Sequence, residues 1–387
     1  MAKNGWQSRR SILTKIGHMR IAPMRKVLSF LLQLAAGLLI WAVAAPAATV
    51  PDWWVGPPEA FQKMFEGAQR EGEVTFWGSS STQGNSVRAA WPKDWRIKVN
   101  FLEVDHEEQV TRSITEARAG LHTVDVINPG LVGVHLLYQR GIIAPLVPEN
   151  MRIVRDIPGL RTTIGGVTVG WNPRSGGRVF MYNTDRVKDP PLDWPDLLDP
   201  KWKGRLGFDM DMLHILPLAC PEGERAGWGL EKVRGFLRQL AKQKPQYHNQ
   251  GRLMATWVAS GKVDVLAGGF VSHALALRSK GAPINSVFPK LLGMAENLYA
   301  VVAQAPHPNA ARLLVYWMMG PESLRALWDI GFYGHFLIPT QYYNSPSYNY
   351  YYELAKGKTV VAASIDCVQR AEKENWVATF RKDIGFD

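Results

Sequence analysis

The chain has 387 residues, of which 46% are hydrophobic and 20% charged, and it is long enough for two globular domains, each with its own core. Its formal charge of +11 is uneven, because residues 1–47 hold seven of the 45 basic residues and none of the 34 acidic ones. The remainder carries only +4 and has no basic run interleaved with aromatic residues, which argues against nucleic-acid binding.

The first 47 residues have the pattern of an export signal. Met1–Lys26 is basic and polar, Val27–Val43 is almost continuously apolar, and the small residues Ala45 and Ala47 fit a cleavage site near Ala47. The sequence therefore predicts an exported, periplasmic protein. Because the apolar run is long for a signal, an uncleaved membrane anchor is the alternative.

The export route and the start of translation stay open. Ser8–Leu13 contains paired arginines and resembles a twin-arginine export motif. Thirteen residues separate this motif from the apolar run, which is unusual, and translation could instead begin at Met24. No cysteine follows the apolar run, so the sequence gives no support for a lipid anchor.

Helical and strand patterns alternate in the first part of the exported chain. Apolar residues at helical spacing predict a helix over 58–71 that ends at Gly72. The elements predicted next are a strand, a helix, a strand, a helix and a strand, over 73–77, 86–91, 97–102, 107–118 and 125–128. This alternation predicts an α/β fold with an open sheet.

Polar side chains follow two of these strands. After the first strand come Ser79, Ser80, Ser81 and Thr82, and after the third comes Asn128. Ligands of open α/β sheets bind at the carboxyl ends of strands, and hydroxyl and N–H groups before a helix bind polar or anionic groups. These five residues are therefore candidate ligand contacts. For the serines, a plain helix cap is the alternative.

The second part of the chain is predicted to begin with a passage between two sheets, within residues 177–208. Strand-like runs at 179–182 and 205–208 flank a connector that four prolines stiffen and that includes a one-turn helix at 194–198. Further strands are predicted over 167–171, 287–293 and 297–303, further helices over 229–243 and 253–260, and a strand that ends near Phe270.

Two acids and an aromatic residue complete the candidate site. Asp209 and Asp211 follow the strand at 205–208 and could bind a cation or an amine group, or Asp209 could only cap the next helix. Phe270 could pack against an organic ligand. The serines favour an anionic group and the two acids a cationic one, so one zwitterion could satisfy both.

Three stretches resemble bacterial extracellular solute-binding proteins, the binding components of ABC importers. They are Tyr-Asn-Thr at 182–184 with DLLDPKWKGRLGF at 196–208, GKVDVL at 261–266, and APHPNAA at 305–311. The resemblance implies a two-lobed α/β fold of the type 2 periplasmic binding proteins, with hinge strands and an interlobe cleft. The expected lobes are 53–178 plus 288–330 and 181–284 plus 336–387.

The resemblance is nearest to the ferric-iron branch of these proteins, which implies two adjacent tyrosines after the strand at 261–270. This chain has Phe270, Val271, Ser272 and His273 there instead, and its pair Tyr342-Tyr343 lies far beyond that position. We therefore expect a small organic ligand, no metal and no cofactor. Ferric ion, which prefers oxygen ligands, is the alternative ligand.

The resemblance implies that the protein is a monomer that delivers its ligand to an ABC permease. No G-x-S-x-G, H-E-x-x-H, P-loop or G-x-G-x-x-G motif occurs at a fitting place, so the sequence does not predict an enzyme. A ligand-sensing module for a receptor kinase and an exported enzyme of similar fold are the alternatives.

Cys220 and Cys367 are the only cysteines, and both are predicted to lie in the second lobe. Two thiols in an exported protein could form a disulfide, because the compartment is oxidising. The sequence leaves open whether they do.

Overall fold

The structure is a computed structural model that describes residues 49–386, except 158–159, 211, 213, 222–226, 330–334, 336–337 and 345. The predicted export signal and Asp211 lie outside the described residues. Within the described part, no helix has the length and apolarity needed to cross a bilayer.

The fold alternates helices and strands, as the sequence predicts. The described strands are β1 to β11: Glu73–Gly78, Lys98–Glu103, Val126–Ile127, Arg161–Ile164, Val167–Asn183, Leu206–Asp209, Gln246–His248, Val265–Phe270, Ile284–Val287, Leu291–Val301 and Thr359–Val361. The described α-helices are α1 to α14: Pro58–Glu71, Ser81–Ala90, His106–Arg118, Gly130–Gln139, Arg152–Asp156, Leu216–Ala219, Leu230–Ala241, Gly251–Ala259, Val271–Arg278, Pro308–Trp317, Pro321–Asp329, Pro346–Ala355, Ile365–Lys373 and Trp376–Asp383. Short 3-10 helices cover Lys93–Trp95, Pro148–Asn150, Trp194–Leu198 and Pro200–Trp202.

Helix α1 shows how local sequence sets an element. Pro58 occupies its first position, where the missing N–H costs nothing, and Phe61, Phe65 and Ala68 form one buried face at helical spacing. Gly72 ends the helix with a φ of 76°, a conformation that glycine adopts without strain. The prediction of a helix over 58–71 is confirmed.

The first lobe is built on a mixed sheet in the order β2-β1-β3-β10-β5-β4. Strand β1 runs parallel to β2 and β3, whereas β10 runs antiparallel to β3 and β5. Strand β4 forms an antiparallel pair with the start of β5. Its core includes Phe76, Trp171, Tyr299 and Trp317, all at most 1% exposed.

The second lobe is built on a sheet in the order β9-β5-β8-β6-β7, with β11 beside the start of β10. Strand β5 runs antiparallel to β8 and β9, and β6 runs parallel to β8 and β7. Its two faces carry separate cores, one around Phe208 and Trp194 and the other around Met181 and Met254.

Strands β5 and β10 pass through both sheets, and they are the hinge strands of this two-lobed fold. Around Trp171, β5 pairs in the first sheet, and from Arg178 to Asn183 it pairs in the second. The predicted pairs of short strands at 167–171 and 179–182, and at 287–293 and 297–303, were therefore wrong, because β5 and β10 are each continuous across both lobes.

The proline-rich connector is not the passage between lobes, and that prediction was also wrong. The chain has already entered the second sheet at Phe180, before the prolines begin. Trp194, within the connector, is fully buried in the second-lobe core, and its Nε1 donates a hydrogen bond of 2.8 Å to the carbonyl of Leu291. The prolines therefore shape a loop that packs onto the second lobe.

Cys220 and Cys367 form a disulfide. It links the end of α6 to the first turn of α13, and both residues are fully buried in a second-lobe core. The bond closes a loop across 147 residues of sequence, so it ties the C-terminal segment to the rest of that lobe.

Candidate functional site

Two adjoining pockets lie where the first-lobe helices α2, α3 and α4 face the second lobe. A polar pocket of about 490 Å³ and an apolar pocket of about 620 Å³ share His106, Phe270 and Asn297 in their linings. The polar pocket is lined by Ser79, Ser80, Ser81, Thr82, Glu103, His106, Arg252, Phe270, His273 and Asn297.

The first-lobe wall of the polar pocket is the beginning of α2. This helix begins at Ser81 rather than at 86, so the predicted start was wrong by one and a half turns. The side chain of Ser80 makes no capping hydrogen bond, although Ser80 precedes the first helical residue. The opening N–H groups of a helix have no helical partner, so this wall offers hydroxyls and main-chain donors to a ligand.

The helical character of residues 81–85 is hard to read from sequence because these residues are polar and Gly84 is a weak helix former. Tertiary packing decides it. A side chain at Gly84 would begin only 2.3 Å from the ring of Phe101 on β2, so glycine allows the helix to lie against the sheet. The serines thereby come to the edge of the cleft.

The second-lobe wall carries three residues from three elements. Phe270 ends β8, His273 lies in the first turn of α9, and Arg252 lies exposed in the first turn of α8. Within the described part of the chain, no carboxylate pairs with Arg252. Its charge is therefore available to a bound group.

A buried ion pair lies behind this wall. The guanidinium of Arg178 stacks on Phe270, 3.6 Å from the ring centroid, and its Nη1 donates to Asp209 Oδ2 at 3.4 Å and to the carbonyl of Gly268 at 3.0 Å. Arg178 and Asp209 are each 1% exposed. Gly251 lets α8 approach this pair, since a side chain there would begin 3.2 Å from Asp209 Oδ2.

Burial, together with the charges of Arg252 and Arg178, lowers the pKa of His273 to about 4, although a hydrogen bond with the main chain of Gly251 opposes the shift. His273 is therefore neutral at neutral pH. A negative charge bound beside it would offset the two cations and raise its pKa again.

The structure brings together five of the predicted site residues and separates Asn128 and Asp209 from them. The hydroxyl residues Ser79, Ser80, Ser81 and Thr82 and the ring of Phe270 line one pocket from opposite lobes. Asp209 lines neither pocket but pairs with Arg178.

Asn128 also lines neither pocket. It is fully buried, its Nδ2 donates to the carbonyl of Leu298 at 2.9 Å, and its own N–H donates to Gln109 Oε1 at 2.7 Å. It therefore joins β3 to β10 and to α3. Its position at a strand end suggested a ligand contact. The sequence does not show in which direction its side chain points.

Sequence reasoning missed five lining residues of the polar pocket: Glu103, His106, Arg252, His273 and Asn297. Arg252 and His273 occupy the first turns of helices, which is a readable signal once the helix starts are known. His106 Nδ1 lies 2.6 Å from the carbonyl oxygen of Asn128, and Asn297 lies on hinge strand β10. Nothing local marks Asn297, because its role depends on where the two lobes meet.

The apolar pocket is formed by helices of both lobes and the hinge. Glu107 and Glu372, from α3 and α13, are the acidic residues in its lining. The remaining lining residues are Val110, Thr111, Pro129, Gly130, Leu131, Val132, Gly133, Leu136, Leu216, Pro217, Phe270, Met294, Asn297, Ala363 and Val368.

Comparison with known proteins identifies the family. Residues 86–355 match the family model described as bacterial extracellular solute-binding protein, which is most of the chain. The chain belongs to this family. It is 26% identical over 189 residues to "Iron uptake protein A1" of Synechocystis sp., a match covering 47% of this chain and 49% of that protein. The chain thus spans about half the length of the curated relatives it matches.

Solved structures of low identity share the fold. Iron-bound HitA from Pseudomonas aeruginosa superimposes with a TM-score of 0.61 at 19% identity, over 81% of this chain and 99% of that one. AfuA from Actinobacillus pleuropneumoniae, solved with fructose-6-phosphate bound, gives 0.61 at 17% identity, over 81% and 98%. The predicted two-lobed α/β fold is confirmed.

The tyrosine pair of this solute-binding protein lies away from both pockets. Tyr342 Oη hydrogen-bonds Asp156 Oδ2 at 2.5 Å, and Tyr343 Oη donates to Asp329 Oδ1 at 2.6 Å. Among the residues that the structure describes, no cluster of three histidine, cysteine or acidic side chains could hold a metal ion. Phe270, which stands where the resemblance implies tyrosines, offers no oxygen to a metal.

Proposed function

We propose that this solute-binding protein captures a small organic anion between its lobes and delivers it to an ABC permease. One observation carries the proposal: hydroxyl groups at Ser79–Thr82 line a single pocket opposite the cation Arg252 and the imidazole of His273. A ligand that contacts both walls stabilises the closed arrangement of the lobes, because it binds that arrangement more tightly than the open one.

The charges favour an anion. Arg252 has no carboxylate partner among the described side chains, and Arg178, which pairs with Asp209, lies behind Phe270. Glu103 is the single carboxylate in the lining of the polar pocket. Hydrogen bonds to a charged group contribute about 1.5–3 kcal/mol each, so a carboxylate, phosphonate, sulfonate or phosphate ester fits this set of donors.

The organisation proposed for the whole protein follows the family. The lobes would be 53–178 plus 288–330 and 181–284 plus 336–387, with cleavage near Ala47 releasing a monomer into the periplasm. Helix α11 lies at the boundary between these lobes: its Leu324 packs in the first-lobe core and its Trp328 in a second-lobe core. The function is transport rather than catalysis or nucleic-acid binding.

Ferric ion is the second candidate ligand because a relative is named an iron uptake protein and a structural neighbour contains iron. The chemistry of this pocket favours it less, since Phe270 stands where the resemblance implies a tyrosine and the cation Arg252 repels a metal ion. A sensing module for a receptor kinase would bind the same anion, and a permease gene beside this one would favour transport.

Calorimetry on the exported protein tests the proposal, with carboxylates, phosphonates, sulfonates, sugar phosphates and ferric citrate as probes. We expect an anion to bind and Arg252→Gln to weaken its binding about 10- to 100-fold. Arg118→Gln, which removes an exposed cation at the end of α3, is the matched control and should change the dissociation constant less than twofold. Binding of ferric ion alone, or equal effects of the two variants, would refute the proposal.

A further inference from the structure

We infer that the ligand is amphipathic: an anionic head in the polar pocket and an apolar body in the adjoining apolar pocket, without a second negative charge. This inference rests on the proposed function and extends it to the ligand class. It comes from the apolar pocket of about 620 Å³, which the binding of a small anion does not require.

The two pockets form one continuous site. His106, Phe270 and Asn297 belong to both linings, so a molecule whose charged end meets Arg252 can extend past Phe270 into the apolar pocket. The ring of Phe270 is fixed by Arg178, and it therefore presents a stable apolar surface at the junction. Pockets for organic ligands typically combine a large apolar lining with a few placed polar groups.

The apolar lining does not serve the first-lobe core alone. Val132 and Leu136, on α4, are partly exposed and are not among the side chains packed on that core. Leu216 and Val368 reach the same pocket from α6 and α13 of the second lobe. Apolar side chains from both lobes would lose contact with water when an apolar ligand body lies between them, which favours closure.

The two acidic residues of the apolar pocket disfavour a second negative charge on the apolar body of the ligand. Glu107 comes from the first lobe and Glu372 from the second, and both side chains are exposed. A second anionic group carried into this pocket would meet two like charges, whereas a neutral or cationic end would not. The site therefore distinguishes monoanions from dianions of the same length.

Calorimetry on the exported protein with a homologous series tests the inference. The probes are straight-chain monocarboxylates from acetate to octanoate, the matching sulfonates and phosphonates, and the α,ω-dicarboxylates. Each methylene that enters the pocket should lower the dissociation constant about fourfold, until the pocket is full. Each dicarboxylate should bind at least tenfold more weakly than the monocarboxylate of equal length.

Substitutions test whether the gain in affinity with chain length comes from the apolar pocket. Leu136→Asp should abolish the gain in affinity with chain length, and Val132→Asp is the substitute if the first variant does not fold. Leu192→Asp, at a side chain 57% exposed outside both linings, is the control. The double variant Glu107→Gln and Glu372→Gln should admit dicarboxylates, whereas Glu108→Gln, next to Glu107 but outside the lining, should not.

The outcomes separate the two proposals. If anions bind but the affinity does not depend on chain length, or depends on it equally in Leu136→Asp, the anion site stands and the amphipathic ligand is refuted. If the wild type binds mono- and dicarboxylates equally well, Glu107 and Glu372 do not select against a second negative charge, and that part of the inference is refuted. If no anion binds, both proposals fail.

Discussion

Arg178 stacks against Phe270 at the wall of the polar pocket, with 3.6 Å between its guanidinium carbon and the ring centroid. The same guanidinium meets Asp209 and the carbonyl of Gly268, and it is 1% exposed. A cation that is desolvated on a ring contributes about 2 kcal/mol. The aromatic residue that lines the pocket is therefore held in place by a buried ion pair that does not itself line the pocket.

Replacing Phe270 by leucine should show how much the stacking of Arg178 on Phe270 stabilises the protein. The leucine keeps an apolar side chain but loses the ring face, so the free energy of unfolding should fall by about 1–2 kcal/mol in urea denaturation. Phe386→Leu is the control because its ring, 40% exposed, contacts Tyr247 rather than a cation, and its effect should stay below about 0.5 kcal/mol. Equal effects of the two variants would contradict the stacking role.

Asp209 should matter for stability rather than for direct ligand contact. Asp209→Asn removes the acidic partner of a buried arginine, and breaking a buried pair on one side costs about 3–5 kcal/mol. Glu353→Gln breaks an exposed pair with Lys356 and should cost at most about 1 kcal/mol. Chemical denaturation measures both values. If Asp209→Asn folds with wild-type stability, Asp209 has another role.

The low pKa of His273 predicts a loss of stability in acid. Its pKa is about 4 in the folded protein and about 6.5 in the unfolded chain, so the unfolded chain binds more protons between these values. This contribution is fully present above pH 6.5 and is lost as the pH falls towards 4, in total about 3 kcal/mol. His273→Gln should flatten the stability curve in this range, as measured by urea denaturation at several pH values.

An exposed histidine provides the comparison, and His122→Gln should leave the acid dependence unchanged. The charged groups around His273 are Arg252 on α8, Arg178 on β5, Asp209 behind Gly251, and Glu103 across the pocket. Bound anion should also raise the pKa of His273, and an NMR titration of its ring with and without ligand checks the direction. A lower pKa with ligand would show that the ligand is a cation.

Reduction of the disulfide should destabilise the second lobe. Closing a loop of 147 residues restricts the unfolded chain, which on the loop-entropy estimate stabilises the folded state by up to about 5 kcal/mol. The double variant Cys220→Ala and Cys367→Ala should therefore unfold at lower denaturant concentration, and reductant should affect only the wild type. An unchanged midpoint in both experiments would show that the C-terminal segment is held by packing alone.

The sequence determined the elements with strong local signals. The helix over 58–71 has an apolar face at helical spacing and a glycine at its end, and both features act within a few residues. The helix predicted over 253–260, the strand that follows it and the motifs at 182–208 and 305–311 likewise indicated the family and its fold. Ser79–Thr82 and Phe270 were placed at strand ends for the same local reason.

Only the tertiary structure decided which strand ends face the cleft. Val167–Asn183 became one strand through both lobes, and the proline-rich connector packed beside Leu291, because long-range pairing outweighed the local signals of glycine and proline. Asn128 and Asp209 are just as polar and just as near to strand ends as Ser79, yet they are buried and hydrogen-bond to residues far away in the chain. A side chain's direction depends on contacts between residues far apart in the chain, and local sequence does not encode those contacts.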